Sequence, residues 1–366
     1  MNPLVSIVTP CYNGASYLDR YFACILAQTY APLEVIMVDD GSTDGTPEAI
    51  EEHRGALAEA GIDLICLRQD HRGQAAAINL GLSAVTGAYV TWPDSDDVMR
   101  EDNIERKVAH LERHPEEGFV CCQVANVRED ALDDVISVTR VPDTSDPWLF
   151  DRLIRDRGAY CLDIAYLART DALFDALGGR RIVESPAGQN FQLLLPLAYR
   201  YPCGFIDEPL AAYVERAGSH SRSFTTVEQQ IQRTYEFEEL LHRVLASMRM
   251  DPGDQEVYGR YVDRKFLPRR LELALQAGDQ ELFARTKAEL DRAQGRRLTY
   301  EAAALAFRLG VGSQLWEALR LLRRAAVCLL RAPGGAMRRL ASLSDSAVRT
   351  LYRRARRDIH GKETHS

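Results

Sequence analysis

Hydrophobic positions in the N-terminal third of the chain fall into short runs separated by stretches of helical spacing. Residues 4–9, 34–39, 62–67 and 88–92 are apolar runs of strand length, and the intervening segments 16–28, 46–60 and 74–85 repeat apolar residues every three to four positions. This alternation predicts βαβ units with right-handed crossovers, hence a parallel sheet whose strand ends share one edge. Residues 118–127 and 135–141, rich in β-branched side chains and separated by the acidic stretch 128–134, predict a hairpin. From about residue 226 the strand signals stop. Helical spacing continues at 231–245, 258–275, 281–290 and 300–309, with breaks at Asp251-Pro252-Gly253 and Gly278. The expected class is α/β with a mostly parallel sheet: a domain over 1–222, a helical appendage over 223–312 and a basic amphipathic tail over 313–366.

Composition bounds what such a domain can be. With 366 residues, 46% hydrophobic and 27% charged, the chain can bury a large core. Its eight cysteines are scattered without a CxxC pair, which predicts reduced core thiols and a cytoplasmic setting. A strand-like run begins almost at once, so no secretory leader is expected, and no uncharged apolar stretch reaches the ~18 residues of a membrane span. The net charge of −8 conceals an asymmetry: from Arg308 onward 13 Lys and Arg face four Asp and Glu. There Trp316, Leu319, Leu322 and Val327 alternate with Arg320, Arg323, Arg324 and Arg331. Such a segment suits the interface of an anionic membrane, and it equally suits a helix packed on its own domain with a solvated basic face. Nucleic acid is not an expected partner, because the body is acidic and carries no binding motif.

The chemistry concentrates in loops predicted to share the sheet's carboxyl edge. These are Thr9-Pro10-Cys11-Tyr12-Asn13-Gly14, Asp39-Asp40-Gly41-Ser42-Thr43-Asp44-Gly45 and Asp94-Ser95-Asp96-Asp97. In open α/β sheets ligands bind at that edge. Crowded carboxylates need compensation, and hard oxygen ligands suit Mg²⁺ or Mn²⁺ sharing a diphosphate. On its own the acidic cluster also reads as a helix start, capped by Asp94 or Ser95. Asp40 with Ser42 likewise reads as an Asx turn before the helix at Thr46. The first loop lacks the GxGxxG of dinucleotide folds, and no Walker motif occurs in the chain.

Taken together, Val5-Ser6-Ile7-Val8-Thr9-Pro10-Cys11-Tyr12-Asn13-Gly14, Gln28-Thr29-Tyr30, Val38-Asp39-Asp40-Gly41-Ser42, Gly73 through Gly81 and Pro93-Asp94-Ser95-Asp96-Asp97 resemble the inverting glycosyltransferases of family 2, which have the GT-A fold. The resemblance spans about residues 4–220. It implies that Thr9 and Tyr12 line a nucleotide pocket, that Asp40 accepts a hydrogen bond from the base and that Asp94 lies near the ribose. It further implies that Asp96 binds the metal, His220 stands beside it, and Arg216 pairs with phosphate oxygens. The implied partners are a nucleotide-sugar donor, with UDP-sugar as the expected class, and a glycan or lipid-linked glycan acceptor.

One position departs from the family pattern. Where the family carries its basic aspartate, this chain has Asn190, within Gly188-Gln189-Asn190-Phe191. An amide can orient a hydroxyl but cannot take its proton near neutral pH. Glu184 and Asp163 are the alternative bases, and a nucleotide-sugar or glycan-binding module without transfer is the alternative function. Pro196 predicts a kink in the helix that follows.

Overall fold

The structure, a computed structural model, describes residues 2–185, 188–216 and 225–294. The described residues divide into two compact units, with the boundary between Lys265 and Phe266. The first unit therefore reaches beyond the boundary expected at residue 222. It begins with the alternation read from the sequence: β1 (Val5–Cys11), α1 (Ala15–Leu26), β2 (Leu33–Asp39), α2 (Thr46–Glu52), α3 (Arg54–Glu59), β3 (Asp63–Arg68), α4 (Gln74–Ala84) and β4 (Tyr89–Thr91). Strands β1, β2 and β4 are buried throughout, as expected of strands covered on both faces.

The helix predicted over 46–60 is two. At its end α2 tightens, His53 N–H reaching back to Ile50 O at 3.3 Å, and the His53 ring stacks on Phe22 with centroids 4.6 Å apart. After β4 the chain forms β5 (Val98–Met99) and α5 (Asn103–Arg113), then the hairpin β6 (Phe119–Arg128) and β7 (Ala131–Thr139). There follow α6 (Phe150–Ile154), a 3₁₀ turn at Asp163–Ala165, β8 (Tyr166–Arg169), α7 (Thr170–Leu177), α8 (Gln189–Arg200) and β9 (Cys203–Glu215). Helix α8 runs through Pro196.

The strand order is β3-β2-β1-β4-β8-β6-β9-β5, with β7 pairing β6. Pairing is parallel from β3 to β4, as predicted, and becomes mixed beyond: β8 is antiparallel to both β4 and β6, whereas β6 and β9 run parallel. The carboxyl ends of β1, β2 and β4 consequently face one side. Opposite them, buried Glu34 accepts from the Thr86 and Gly87 amides and the Thr86 hydroxyl at 2.8–3.1 Å, closing the other edge.

Two further helices, α9 (Val227–Ser247) and α10 (Pro252–Lys265), complete the first unit. A capping box starts α9: the Thr226 hydroxyl accepts from Gln229 N–H, and the Gln229 side chain accepts from Thr226 N–H. In the second unit α11 (Leu267–Ala277) and α12 (Gln280–Gln294) form a helical hairpin around Gly278, with Asp279 accepting from Leu282 N–H at 2.9 Å. The single helix expected over 258–275 breaks before Pro268, which lacks an amide proton and disfavours helix in its predecessor. Among the described residues no helix is long and apolar enough to cross a membrane. The helix expected at 300–309 and the basic tail lie outside the described residues.

Candidate active site

The loops after β1 and β2 are tied to each other at the shared edge. Asn13 N–H donates to Ser42 Oγ, Thr43 N–H to Asn13 Oδ1 and Gly14 N–H to Thr46 Oγ1, each at 2.9 Å. Glycine is required at position 14, where a Cβ would stand 2.6 Å from Cys11 Sγ. Asp39, rather than Asp40, makes the turn with Ser42, accepting its amide at 2.9 Å. Asp44 accepts from Thr46 N–H at 3.1 Å in the turn just before α2. Thr9 is fully buried, its hydroxyl 2.7 Å from Tyr21 Oη. Tyr12 projects at the mouth, 46% exposed, and stacks on His71.

Asp40 is tied to the loop that follows β3. Its buried carboxylate accepts from Gln69 Nε2 at 2.6 Å, Arg72 N–H at 2.9 Å and Gly73 N–H at 2.8 Å, with His71 Nδ1 at 2.9 Å. A carboxylate offers about four lone-pair sites. Three hydrogen bonds come from one loop, whose His71 also bonds the Asp40 carbonyl oxygen at 3.1 Å, so Asp40 anchors residues 69–73. Gly41, at φ +74°, admits that loop: a Cβ there would lie 2.6 Å from His71 N.

The acidic loop after β4 does not begin a helix. It leads into β5, which pairs antiparallel with β9, and Asp97 accepts from Val214 N–H of β9 at 3.0 Å. The helix-capping reading of Asp94 and Ser95 is thereby excluded. Asp94 accepts from Gln74 Nε2 at 2.5 Å. Asp96 is gripped by Arg216, whose Nη2 and Nε stand 2.5 and 2.7 Å from Oδ2.

A fourth carboxylate joins them from the 3₁₀ turn. Asp163, 4% exposed, lies close enough to Asp94 for each to act on the other's carboxyl. Burial, reinforced by Asp97 and Asp96, pushes the Asp163 carboxyl up to about 8. Burial and the Asp163 charge raise Asp94, and burial with Asp96 raises Asp97. Lys107 supports this turn from below: fully buried, it donates to Ile164 O at 2.9 Å, and burial lowers the pKa of its ammonium.

This donor set fits a divalent cation. Asp97 and Asp163 are buried, Asp94 and Asp96 half-buried, and Asp163 Oδ2 is buried without a hydrogen-bond partner. Asp94, Asp96 and Asp163 could contribute ligands. Among the described residues, the side-chain groups already close enough to converge on an ion lie elsewhere, at His114–Glu116–Glu117 and Glu238–His242–Asp263. The motif site is thus no preformed cage, in keeping with a small ion that takes one or two carboxylates and leaves its other positions to water and phosphate.

The base candidates separate. Glu184 pairs with Arg72 at 2.6 Å and Arg181 at 3.2 Å, which links it to the loop held by Asp40. Asn190, in the first turn of α8, donates from Nδ2 to Cys161 O at 3.3 Å, and its Oδ1 is buried without a hydrogen-bond partner. Asp163 belongs to the acidic cluster instead. His220 lies outside the described residues. Sequence reasoning missed Gln74, Tyr17, His71 and Lys107. Of these only Lys107 left a signal, as a cation on the same helical face as Ile104, Val108 and Leu111.

Comparison with known proteins gives this geometry relatives. Residues 6–153 match the family model described as glycosyl transferase family 2. GlyG, a glycosyltransferase of Streptococcus pneumoniae serotype 4, is 42% identical over 106 residues, which are 29% of this chain and 34% of GlyG. TuaG of Bacillus subtilis, whose name assigns it to teichuronic acid biosynthesis, is 35% identical over 109 residues, 30% of this chain and 42% of TuaG. The chain thus spans well under half the length of these curated relatives. The crystal structure of S. aureus TarS 1–349 in complex with UDP-GlcNAc superposes with a TM-score of 0.59 at 16% identity, covering 87% of this chain and 91% of that one.

Proposed function

Because this chain belongs to glycosyltransferase family 2 and has the GT-A fold, we propose that it transfers a sugar from a nucleotide donor to an acceptor hydroxyl with inversion at the anomeric carbon. The observation that carries this reading is the convergence on one sheet edge of exposed Tyr12, the Asp40-anchored loop and the four-carboxylate cluster. In it Tyr12 takes the nucleobase, Asp94 faces the ribose, and Asp96 with its neighbours holds Mg²⁺ or Mn²⁺. When bound, that ion supplies charge stabilisation for the departing diphosphate. Arg216 adds a guanidinium suited to phosphate oxygens.

On the acceptor side, Asn190 orients the hydroxyl and Glu184 takes its proton. Two observations support this pairing: their proximity in the chain and the Arg72 bridge from Glu184 to the donor-side loop. UDP-sugar is the proposed donor class, since TarS, which shares the fold, was crystallised with UDP-GlcNAc. A surface-glycan or lipid-linked acceptor follows from the likeness to TuaG. The cytoplasmic face of the membrane is the proposed location, with residues 313–366 as the basic contact to anionic lipid. Seven free cysteines among the described residues accord with a reducing compartment.

The test is release of nucleoside diphosphate from a panel of UDP-, GDP- and dTDP-sugars, with Mn²⁺ and with EDTA. Metal-dependent release from one donor class is expected. The second reading, a binding module without transfer, is favoured by Asn190 at the position of the family's base. Tight metal-dependent binding without turnover on any donor and acceptor would select it.

A further inference from the structure

Arg216 directly follows β9, with its guanidinium laid on the carboxylate that the proposed function gives to the metal. Both Nη2 and Nε address the same oxygen, Asp96 Oδ2, at 2.5 and 2.7 Å. Tyr17 holds the guanidinium there twice over: its hydroxyl accepts from Nη1 at 2.7 Å, and its ring centroid lies 4.4 Å from Cζ. Arg20 touches the same residue differently, donating to the Asp96 backbone carbonyl at 2.7 Å and leaving the carboxylate alone.

A divalent ion bound to Asp96 Oδ2 would have to share one oxygen with this guanidinium at contact distance. Two cations on one oxygen repel, and the site is only partly exposed, with side-chain exposures of 22% for Arg216 and 20% for Asp96. A nucleoside diphosphate changes the balance. Its oxygens offer the guanidinium an anionic partner with bidentate geometry, while the same oxygens complete the shell of the ion.

We propose that Arg216 is a built-in counter-ion for Asp96, which the divalent ion replaces only when a nucleoside diphosphate draws the guanidinium away, so that metal and nucleotide bind as a coupled pair. The proposal rests on the metal-diphosphate reading of the site. By linkage the coupling is reciprocal: whatever factor UDP adds to Mn²⁺ affinity, Mn²⁺ adds to UDP affinity. Arg216 is a positioning residue in this scheme, and its effect is read in binding without turnover.

The experiment titrates the full chain with Mn²⁺, following the electron paramagnetic resonance signal of free Mn²⁺ with and without UDP. The wild type should bind Mn²⁺ weakly alone and much more tightly with UDP. Arg216→Gln should bind Mn²⁺ alone about tenfold more tightly than wild type, within the usual range of coupling between sites, and UDP should then add less. Tyr17→Ala keeps the formal charge but removes both holds on the guanidinium, so it should shift Mn²⁺ affinity in the same direction by a smaller factor. Arg20→Gln removes a nearby charge without uncovering the carboxylate and should stay close to wild type. Equal Mn²⁺ affinity for Arg216→Gln and wild type in the absence of UDP overturns the proposal, as does an Arg20→Gln effect matching that of Arg216→Gln, which would be a general field effect. Failure of wild type to bind Mn²⁺ even with UDP overturns the metal reading itself, an outcome distinct from both.

Discussion

The ring of Tyr12 lies almost flat on His71, with centroids 3.9 Å apart and planes 19° from parallel. His71 is held in turn by the Asp40 carboxylate, so the exposed aromatic at the cleft mouth is backed by a ring fixed from the protein interior. A nucleobase stacking on the open face of Tyr12 would meet a surface already oriented. Tyr12→Ala should therefore weaken UDP binding by about one to two orders of magnitude, the range of base–aromatic stacking, while leaving free diphosphate almost unaffected. Calorimetry with UDP and with inorganic diphosphate checks this, and equal losses for both ligands would remove Tyr12 from base recognition.

Asp40 is a structural anchor before it is anything else. Replacing it with Ala would strand the amides of Arg72 and Gly73 and the Gln69 side chain, each a donor to this carboxylate. Unsatisfied buried donors cost about 1–3 kcal/mol each, with partial relief from water in this half-open loop. Asp40→Ala is expected to lower stability by about 2–4 kcal/mol. Amide exchange should accelerate at residues 69–73 before it does in β1. Unfolding in urea and exchange by mass spectrometry test the two parts separately, and unchanged protection of 69–73 would refute the anchoring role.

These contacts mark where sequence and structure part. Strands β1 to β4 were legible because each is a short apolar run closed by turn residues, and parallel pairing followed from the helices between them. The convergence of Tyr12, Asp40 and the acidic loop followed from that topology. Which lone pairs were already in use was not legible. Asp40 reads as a ligand in sequence and is engaged by its own loop, and Thr9 reads as pocket-lining and bonds Tyr21. Asp163 stands far from Asp94 in the chain and reaches it only through the mixed half of the sheet, where β8 pairs with β4. Arg216 pairs with Asp96 across a longer separation still, beside the β5–β9 ladder, which no local pattern announces.

Lys107 offers a test of that mixed half. Its ammonium is buried on α5 and reaches the Ile164 carbonyl in the turn that carries Asp163. Lys107→Met keeps the length and apolar stem but leaves the Ile164 carbonyl without this donor, a loss of about 1–3 kcal/mol. Because the ammonium also offsets carboxylate charge from beneath, Mn²⁺–UDP affinity should change along with stability. A variant with lower stability and unaltered Mn²⁺–UDP affinity would confine Lys107 to packing.

The acceptor side carries the last prediction. Glu184 is the carboxylate next in chain to the Asn190 turn, and both its oxygens meet guanidinium groups, from Arg72 and Arg181. If it takes the acceptor proton, Glu184→Gln should lower turnover by about 10²-fold or more with donor affinity nearly unchanged, the effect of losing a general base. The same substitution also breaks two ion pairs, so a purely structural role has to be separated from a chemical one. Arg181→Gln removes one of those pairs while leaving the carboxylate in place, and should cost far less than Glu184→Gln. Asn190→Ala should act chiefly on acceptor KM, since the amide can orient a hydroxyl but not deprotonate it. Asn190→Asp would put a carboxylate at the position of the family's base, and it should restore part of the turnover lost in Glu184→Gln. Full turnover in Glu184→Gln, measured by nucleoside diphosphate release under saturating donor, would take the base role away from this residue.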